Sequence, residues 1–189
     1  VEDTYALTPL QEGILFESLA ASASGTYVSQ AVLTLEGADL DHLERAWQLV
    51  VDRHPALRSA FAWQNVERPL QVVGREVRLA LTREDWTAVD AEAQAARLST
   101  WLEEDRRRGF ALSKAPLLRL TAFRTTSGTD VLVWTFHHIL LDGWSVALVL
   151  GEVLALERAL RAGREAGLPP ARPFRDYVDW LSRQDLRRA

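Results

Sequence analysis

Near the middle of the chain, His137-His138-Ile139-Leu140-Leu141-Asp142-Gly143-Trp144-Ser145 brings two imidazoles, a carboxylate and a hydroxyl together. Imidazole titrates near neutrality, so a histidine held at a cleft can take up and return a proton during a reaction. The segment lies where an apolar strand, Val131–His138, hands over to an apolar helix that begins after Gly143. Strand geometry sends Leu132, Trp134, Phe136 and His138 to one side and Val131, Val133, Thr135 and His137 to the other. The two histidines therefore face different surroundings, and only one of them addresses a given site. Asp142 can fold back to fix the connecting loop or find an arginine. Gly143 permits a backbone geometry and a close approach that a side chain would block.

His-His-x-x-x-Asp also offers ligand types for a hard or borderline cation. The adjacent histidines diverge along the strand, and His42 and His54 belong to another helix, so no metal site is expected. Ser145 lacks the strand-turn G-x-S-x-G setting of a hydrolase nucleophile, and the chain has no cysteine to serve instead. A second segment, Arg53-His54-Pro55-Ala56-Leu57-Arg58-Ser59-Ala60-Phe61, turns a helix end straight into an apolar run. An arginine in such a run either snorkels to the surface or needs a buried carboxylate, and Asp142 is the natural candidate for Arg58.

The elements that must position these residues are read from spacing. Thr8-Pro9-Leu10-Gln11 has the order of a capped helix start, and Leu10, Ile14, Leu15 and Leu19 continue the stripe to an exit loop over Ser22–Gly25. A strand follows over Tyr27–Leu35, then a helix capped by Asp39 and closed by Pro55 near Arg53-His54. Leu57–Trp63, Leu70–Val73 and Val77–Leu81 read as strands, and about 87–108 as a long helix ending on the solvated triplet Arg106-Arg107-Arg108. Leu117–Arg124 and Val131–His138 form an antiparallel hairpin across Thr125-Thr126-Ser127-Gly128. Helices from Gly143 to about Gly163 and over Phe174–Arg188 complete the order. The class is α/β: a two-layer sandwich of a mixed, largely antiparallel sheet with packed helices.

With 189 residues, 48% hydrophobic and 25% charged, the chain has the composition of one globular domain, 1–189, and not of a disordered or collagen-like protein. A net charge of −4 gives no positive field for phosphate backbones or anionic lipid, so neither nucleic acid nor a membrane is an expected partner. No stretch is long and apolar enough to span a bilayer, and the opening residues have no signal-peptide pattern. The absence of cysteine fits a reducing, cytoplasmic setting. Methionine is absent even at position 1, which fits either a piece of something longer or removal of the initiator. The seven tryptophans can fill a core, line a ligand channel or face a partner.

Three ordered motifs then converge. His137–Ser145 (HHILLDGWS), Arg53–Phe61 (RHPALRSAF, with Ser59 where Thr is usual) and Thr8–Phe16 (TPLQEGILF) together resemble the condensation domains of nonribosomal peptide synthetases. The last motif is similar to the opening of members that take a D-configured donor. Phe174–Asp185 (FRDYVDWLSRQD) resembles the segment that closes the first lobe of such domains. The resemblance implies one chloramphenicol-acetyltransferase-like lobe of a V-shaped pair, with the C-terminal lobe missing. Between the lobes of family members runs a tunnel entered by phosphopantetheine arms of donor and acceptor peptidyl carrier proteins, with no cofactor bound by the domain itself.

By the same resemblance the reaction is peptide-bond formation, in which the amine of an acceptor aminoacyl thioester attacks a donor thioester. His138 inherits the catalytic position, either as general base or by positioning and stabilising the tetrahedral intermediate. Asp142 is then structural, pairing with Arg58. Gly143 offers a backbone amide, and His137 supports from the other side of the strand. The intact His137-His138 argues against heterocyclization relatives, while an epimerization domain and a non-catalytic carrier-binding module are the alternatives. The lobe alone is expected to be inactive.

Overall fold

The computed structural model describes residues 1–20 and 25–184. Within them seven strands and five α-helices follow one another as β1 (Asp3–Ala6), α1 (Pro9–Ala20), β2 (Val28–Glu36), α2 (Leu40–Arg53), β3 (Ser59–Ala62), β4 (Leu70–Val73), β5 (Leu81–Asp85), α3 (Ala91–Arg108), β6 (Leu118–Arg124), β7 (Thr129–His137), α4 (Gly143–Arg161) and α5 (Phe174–Ser182). A single 3₁₀ turn, Pro55–Arg58, joins α2 to β3. The expected exit loop at Ser22–Gly25 lies outside the described residues except for Gly25, and so does the far end of the helix expected to reach Arg188.

Two sheets divide the strands. The larger has the order β2-β7-β6-β5, with β2, β7 and β6 antiparallel and β5 parallel to β6, the mixed and largely antiparallel arrangement expected. The smaller is antiparallel, in the order β1-β4-β3. The β6–β7 hairpin turns through Gly128 at φ +75°, a region open to glycine at little steric cost. Alternation along β7 sorts its side chains as its sequence implies: Leu132, Trp134 and Phe136 join a core beneath α2 and α4, while Val133 joins Phe123 and Trp86 beneath α3. Trp47 and Trp134 are fully enclosed and meet edge-on with ring centroids 4.7 Å apart. Of the seven tryptophans, only Trp144 and Trp180 are exposed.

Where elements differ from the spacing-based expectation, local hydrogen bonds explain it. The Val77–Leu81 segment is not a strand over its first residues, because side chains of α2 take its backbone groups. Gln48 accepts from Leu79 N at 2.9 Å and donates to Val77 O at 2.9 Å, and Glu44 accepts from Leu81 N at 3.1 Å. The long helix starts at Ala91 and not near 87: Asp85 holds Thr87 in a side-chain turn, and Asp90 caps the helix through Ala93 N at 2.9 Å. The run Leu57–Trp63 begins as a 3₁₀ turn set by Pro55, so only Ser59–Ala62 is strand. The four-residue β1 was not foreseen; it exists by pairing with β4 at Tyr5↔Gln71.

Beneath α3, Asp105 is buried and accepts from Arg119 Nε at 2.6 Å, Thr135 Oγ1 at 2.6 Å and Gln30 Nε2 at 3.0 Å. This network fastens α3 to β2, β6 and β7. Arg106, Arg107 and Arg108 are exposed in the last turn of that helix, as expected of a solvated end.

Candidate functional site

Strand β7 stops at His137, one residue earlier than its apolar run suggests, and the chain turns over residues 138–140 before α4 begins. Leu140 N closes that turn on His137 O at 3.1 Å. As a result His138 is not on the core side with Phe136; it is exposed at a cleft of about 600 Å³ whose walls include Gln11, Ile14, Tyr27, Phe174 and Tyr177. The main chain of His138 stays anchored, its N–H donating to Tyr27 O at 2.8 Å.

The ring of His138 is oriented by its own loop. Nδ1 lies 2.5 Å from Leu141 O. A carbonyl only accepts, so Nδ1 carries the proton and, in the neutral ring, Nε2 carries the lone pair. Among the described residues nothing hydrogen-bonds to Nε2. The arrangement presents one basic nitrogen at an open cleft, with its tautomer set from behind.

His137 is the opposite case. It is buried, 5% exposed, between α1 and β2. Its Nδ1 accepts from Ile139 N at 3.2 Å and its Nε2 lies 3.4 Å from Ser18 Oγ, whose hydroxyl donates to Ile14 O at 2.6 Å. Burial, with the adjacent His138 adding to it, lowers its pKa from 6.5 to about 4. His137 is therefore a neutral structural imidazole that ties the end of β7 to α1.

Asp142 sits at the N-cap of α4 and accepts from Ser145 N at 2.8 Å, an interaction that holds its carboxyl below the ordinary carboxylate range. The expected pairing with Arg58 is not formed. Arg58, 5% exposed, lies on the small-sheet side of the molecule, where Nη1 donates to Glu2 Oε2 at 2.5 Å and Nε to Val51 O at 3.2 Å, with Gly74 O and Arg75 O completing its surroundings. Glu2 answers with a lowered pKa caused chiefly by its bond to Arg58. The pairing failed because the nearest carboxylate comes from the chain start, through β1, and sequence distance hides that approach. Asp142 makes none of the ion pairs found among the described residues. Replacing it with Ala is expected to cost about 1 kcal/mol of stability through loss of the cap, with Asn close to wild type; urea unfolding of the two variants checks this, and an Asn variant as weak as Ala would contradict it.

Gly143 opens α4 with an ordinary backbone, and a Cβ added there meets nothing within 4 Å. The chain's own packing does not require glycine at this position. The N–H groups of Gly143 and Trp144, in the first turn of α4, have no partner among the described residues, and they leave the helix end beside the His138 loop electropositive. Apolar side chains surround the region without cover: Leu10 is 71%, Trp144 85% and Leu148 70% exposed. Among the described residues no group of three or more acidic, histidine or cysteine side chains is placed to hold a metal ion, and no helix is long and apolar enough to cross a membrane.

Two residues of the neighbourhood were not foreseen in their present role. Gln11, expected only as a helix-capping partner of Thr8, also donates from Nε2 to Ile139 O at 3.3 Å, and Gln71 stands behind it at 2.9 Å. The only sign in the sequence was a polar residue inside the apolar run Leu70–Val73.

Comparison with known proteins agrees on one family. The model of the condensation domain matches residues 1–189. Over its full length the chain is 48% identical to one of the linear gramicidin synthase proteins of Brevibacillus parabrevis and 34% identical to bacitracin synthase 1 of Bacillus licheniformis, and it spans 4% of the length of each. Among solved structures, the starter condensation domain of rhizomide synthetase RzmA superposes with a TM-score of 0.84 at 22% identity, over 96% of this chain and 45% of that one, which supports the chloramphenicol-acetyltransferase-like fold.

Proposed function

The chain belongs to the condensation-domain family, and on that premise we propose that it supplies the histidine-bearing lobe of a domain that joins two carrier-bound aminoacyl or peptidyl groups by a peptide bond. The observation that carries the proposal is the free Nε2 of His138, aimed at the cleft while Leu141 O holds the proton on Nδ1. The acceptor amine attacks the donor thioester carbonyl, forming the C–N bond. Nε2 hydrogen-bonds the attacking nitrogen and takes its proton as charge develops. The oxyanion gathers beside the first-turn amides of α4, those of Gly143 and Trp144, whose dipoles are already in place. The C–S bond then breaks, and the released thiol regains a proton.

In this reading Gly143 is small for the substrate's sake, since the lobe itself leaves its Cβ position open. Asp142 acts by capping the helix that presents those amides. His137 and Arg58 are supports, one tying the strand end to α1 and the other fastening the chain start to the turn before β3. The phosphopantetheine arms belong to the donor and acceptor carrier proteins, and the chain holds no cofactor or metal of its own. The uncovered Leu10, Trp144 and Leu148 favour a second lobe closing over the cleft, so the lobe alone is expected to be inactive. The TPLQEGILF segment supports a D-configured donor, and the reaction belongs to the cytoplasm.

The test uses carriers loaded with donor and acceptor aminoacyl groups, incubated with either the complete condensation domain or residues 1–189, with product read by mass spectrometry. The complete domain is expected to form dipeptidyl carrier, faster with a D- than an L-configured donor, and the lobe none. A complete domain that binds loaded carriers but joins no tested pair would overturn the reading and put epimerization or a purely binding role ahead.

A further inference from the structure

We propose that Gln71, on the central strand of the small sheet, is a positioning residue for the His138 loop, acting through Gln11 on the carbonyl of Ile139; this rests on the reading of His138 given above. Gln71 is 1% exposed and lies opposite both Tyr5 and Phe61 in register. Its Nε2 donates to Tyr5 OH at 3.0 Å and to Ser59 Oγ at 2.7 Å, and the Ser59 hydroxyl in turn donates to Pro55 O at 3.0 Å. Both N–H groups are then used on the sheet side. Oε1 is left facing Gln11, whose Nε2 donates to it at 2.9 Å.

Gln11 has no freedom to turn round. Its Oε1 accepts from Thr8 N at 3.1 Å, so its two N–H groups point to Gln71 Oε1 and, at 3.3 Å, to Ile139 O. Reversing either amide would set donor against donor or acceptor against acceptor, and in a buried setting each such mismatch leaves polar groups unpaired. The relay therefore has one polarity, from the sheet to the loop.

Its end point is the residue after His138. Ile139 is held on both sides: its N–H donates to His137 Nδ1 and its carbonyl accepts from Gln11. The turn so restrained carries the His138 ring and leads directly into Leu141, whose O is the acceptor that puts the proton on Nδ1. A shift of that turn moves the ring and its tautomer-setting partner relative to each other. Four polar side chains, Thr8, Gln11, Gln71 and Ser59, lie buried beside an apolar cluster that includes Leu7, Ile14, Phe61 and Ile139. Satisfied buried networks of this kind fix one geometry where apolar packing tolerates several.

Two readouts test the relay. In single-turnover peptide formation by the complete domain, Gln71→Leu is expected to lower kcat by about tenfold with KM for the loaded carriers unchanged. Pairing Gln71→Leu with Gln11→Leu should cost no more than the larger single loss, as expected for two parts of one connection. In the chain itself, ¹⁵N shifts of His138 should show the Nδ1–H form losing its dominance in Gln71→Leu.

An unchanged kcat and an unchanged His138 signal beside a lowered stability would make Gln71 a core buttress and nothing more, and multiplied losses in the double variant would also overturn the relay. Should Gln71→Leu not fold, Tyr5→Phe withdraws one of Gln71's anchors and is read by the same ¹⁵N signal; no change there counts against the relay. A wild-type domain that forms no peptide bond would overturn the functional reading instead, while the ¹⁵N comparison still decides the relay.

Discussion

Between pH 7.5 and 5.0 the wild-type chain is expected to lose about 2 kcal/mol more stability than a His137→Gln variant, measured by denaturant unfolding at each pH. His137 has a folded-state pKa of about 4 against 6.5 for the exposed side chain, and burial is the main cause. The sign follows from proton uptake. Below pH 6.5 the unfolded chain binds a proton at this residue that the folded chain refuses, so the contribution is fully present above 6.5 and drains away as pH falls toward 4. The cumulative loss approaches about 3 kcal/mol at the acid end, at 1.36 kcal/mol for each pKa unit. Carboxylates add their own pH dependence to both proteins, and the difference between the two isolates the imidazole. Parallel stability curves would show that His137 is not buried neutral between Ser18 and Ile139.

His138→Ala is expected to act on the other quantity. General acid–base groups contribute about 10²- to 10⁴-fold to rate, and here the variant should lose that much in peptide formation while still binding both loaded carriers. Stability should stay within about 0.5 kcal/mol of wild type, because the side chain is exposed and makes a single hydrogen bond, within its own loop. The two adjacent histidines thus separate cleanly, one expected to govern stability with pH and the other rate. A His138→Ala variant that unfolds early would mean that the ring holds the loop instead of serving the cleft.

Much of this was legible because local signals agreed. Asp39 caps α2 through Asp41 N and His42 N at 3.0 Å each, Thr8 and Gln11 cap α1, and alternation along β7 sorted its side chains between two cores. The handover from β7 to α4 placed His138, Asp142 and Gly143 at the head of a helix as their order suggested. What escaped was non-local. Glu2 reaches Arg58 only because the four-residue β1 pairs with β4, and no spacing rule joins residues so far apart in the chain. Arg58 needed a carboxylate, as its burial demanded, but the choice between Asp142 and Glu2 depended on topology. Gln71 was likewise hidden in an apolar run, and its role depends on α1 packing across the small sheet. The early end of β7 by one residue decided which environment His138 meets, and strand ends are set by pairing that the run of apolar residues does not encode.

The most direct measurement of the central claim is the single-turnover rate of dipeptidyl-carrier formation by the complete domain, wild type against His138→Ala, with both carriers loaded and saturating. The account predicts product from the wild type and a rate at least about 100-fold lower in the variant. Product formed by the variant at the wild-type rate would contradict it.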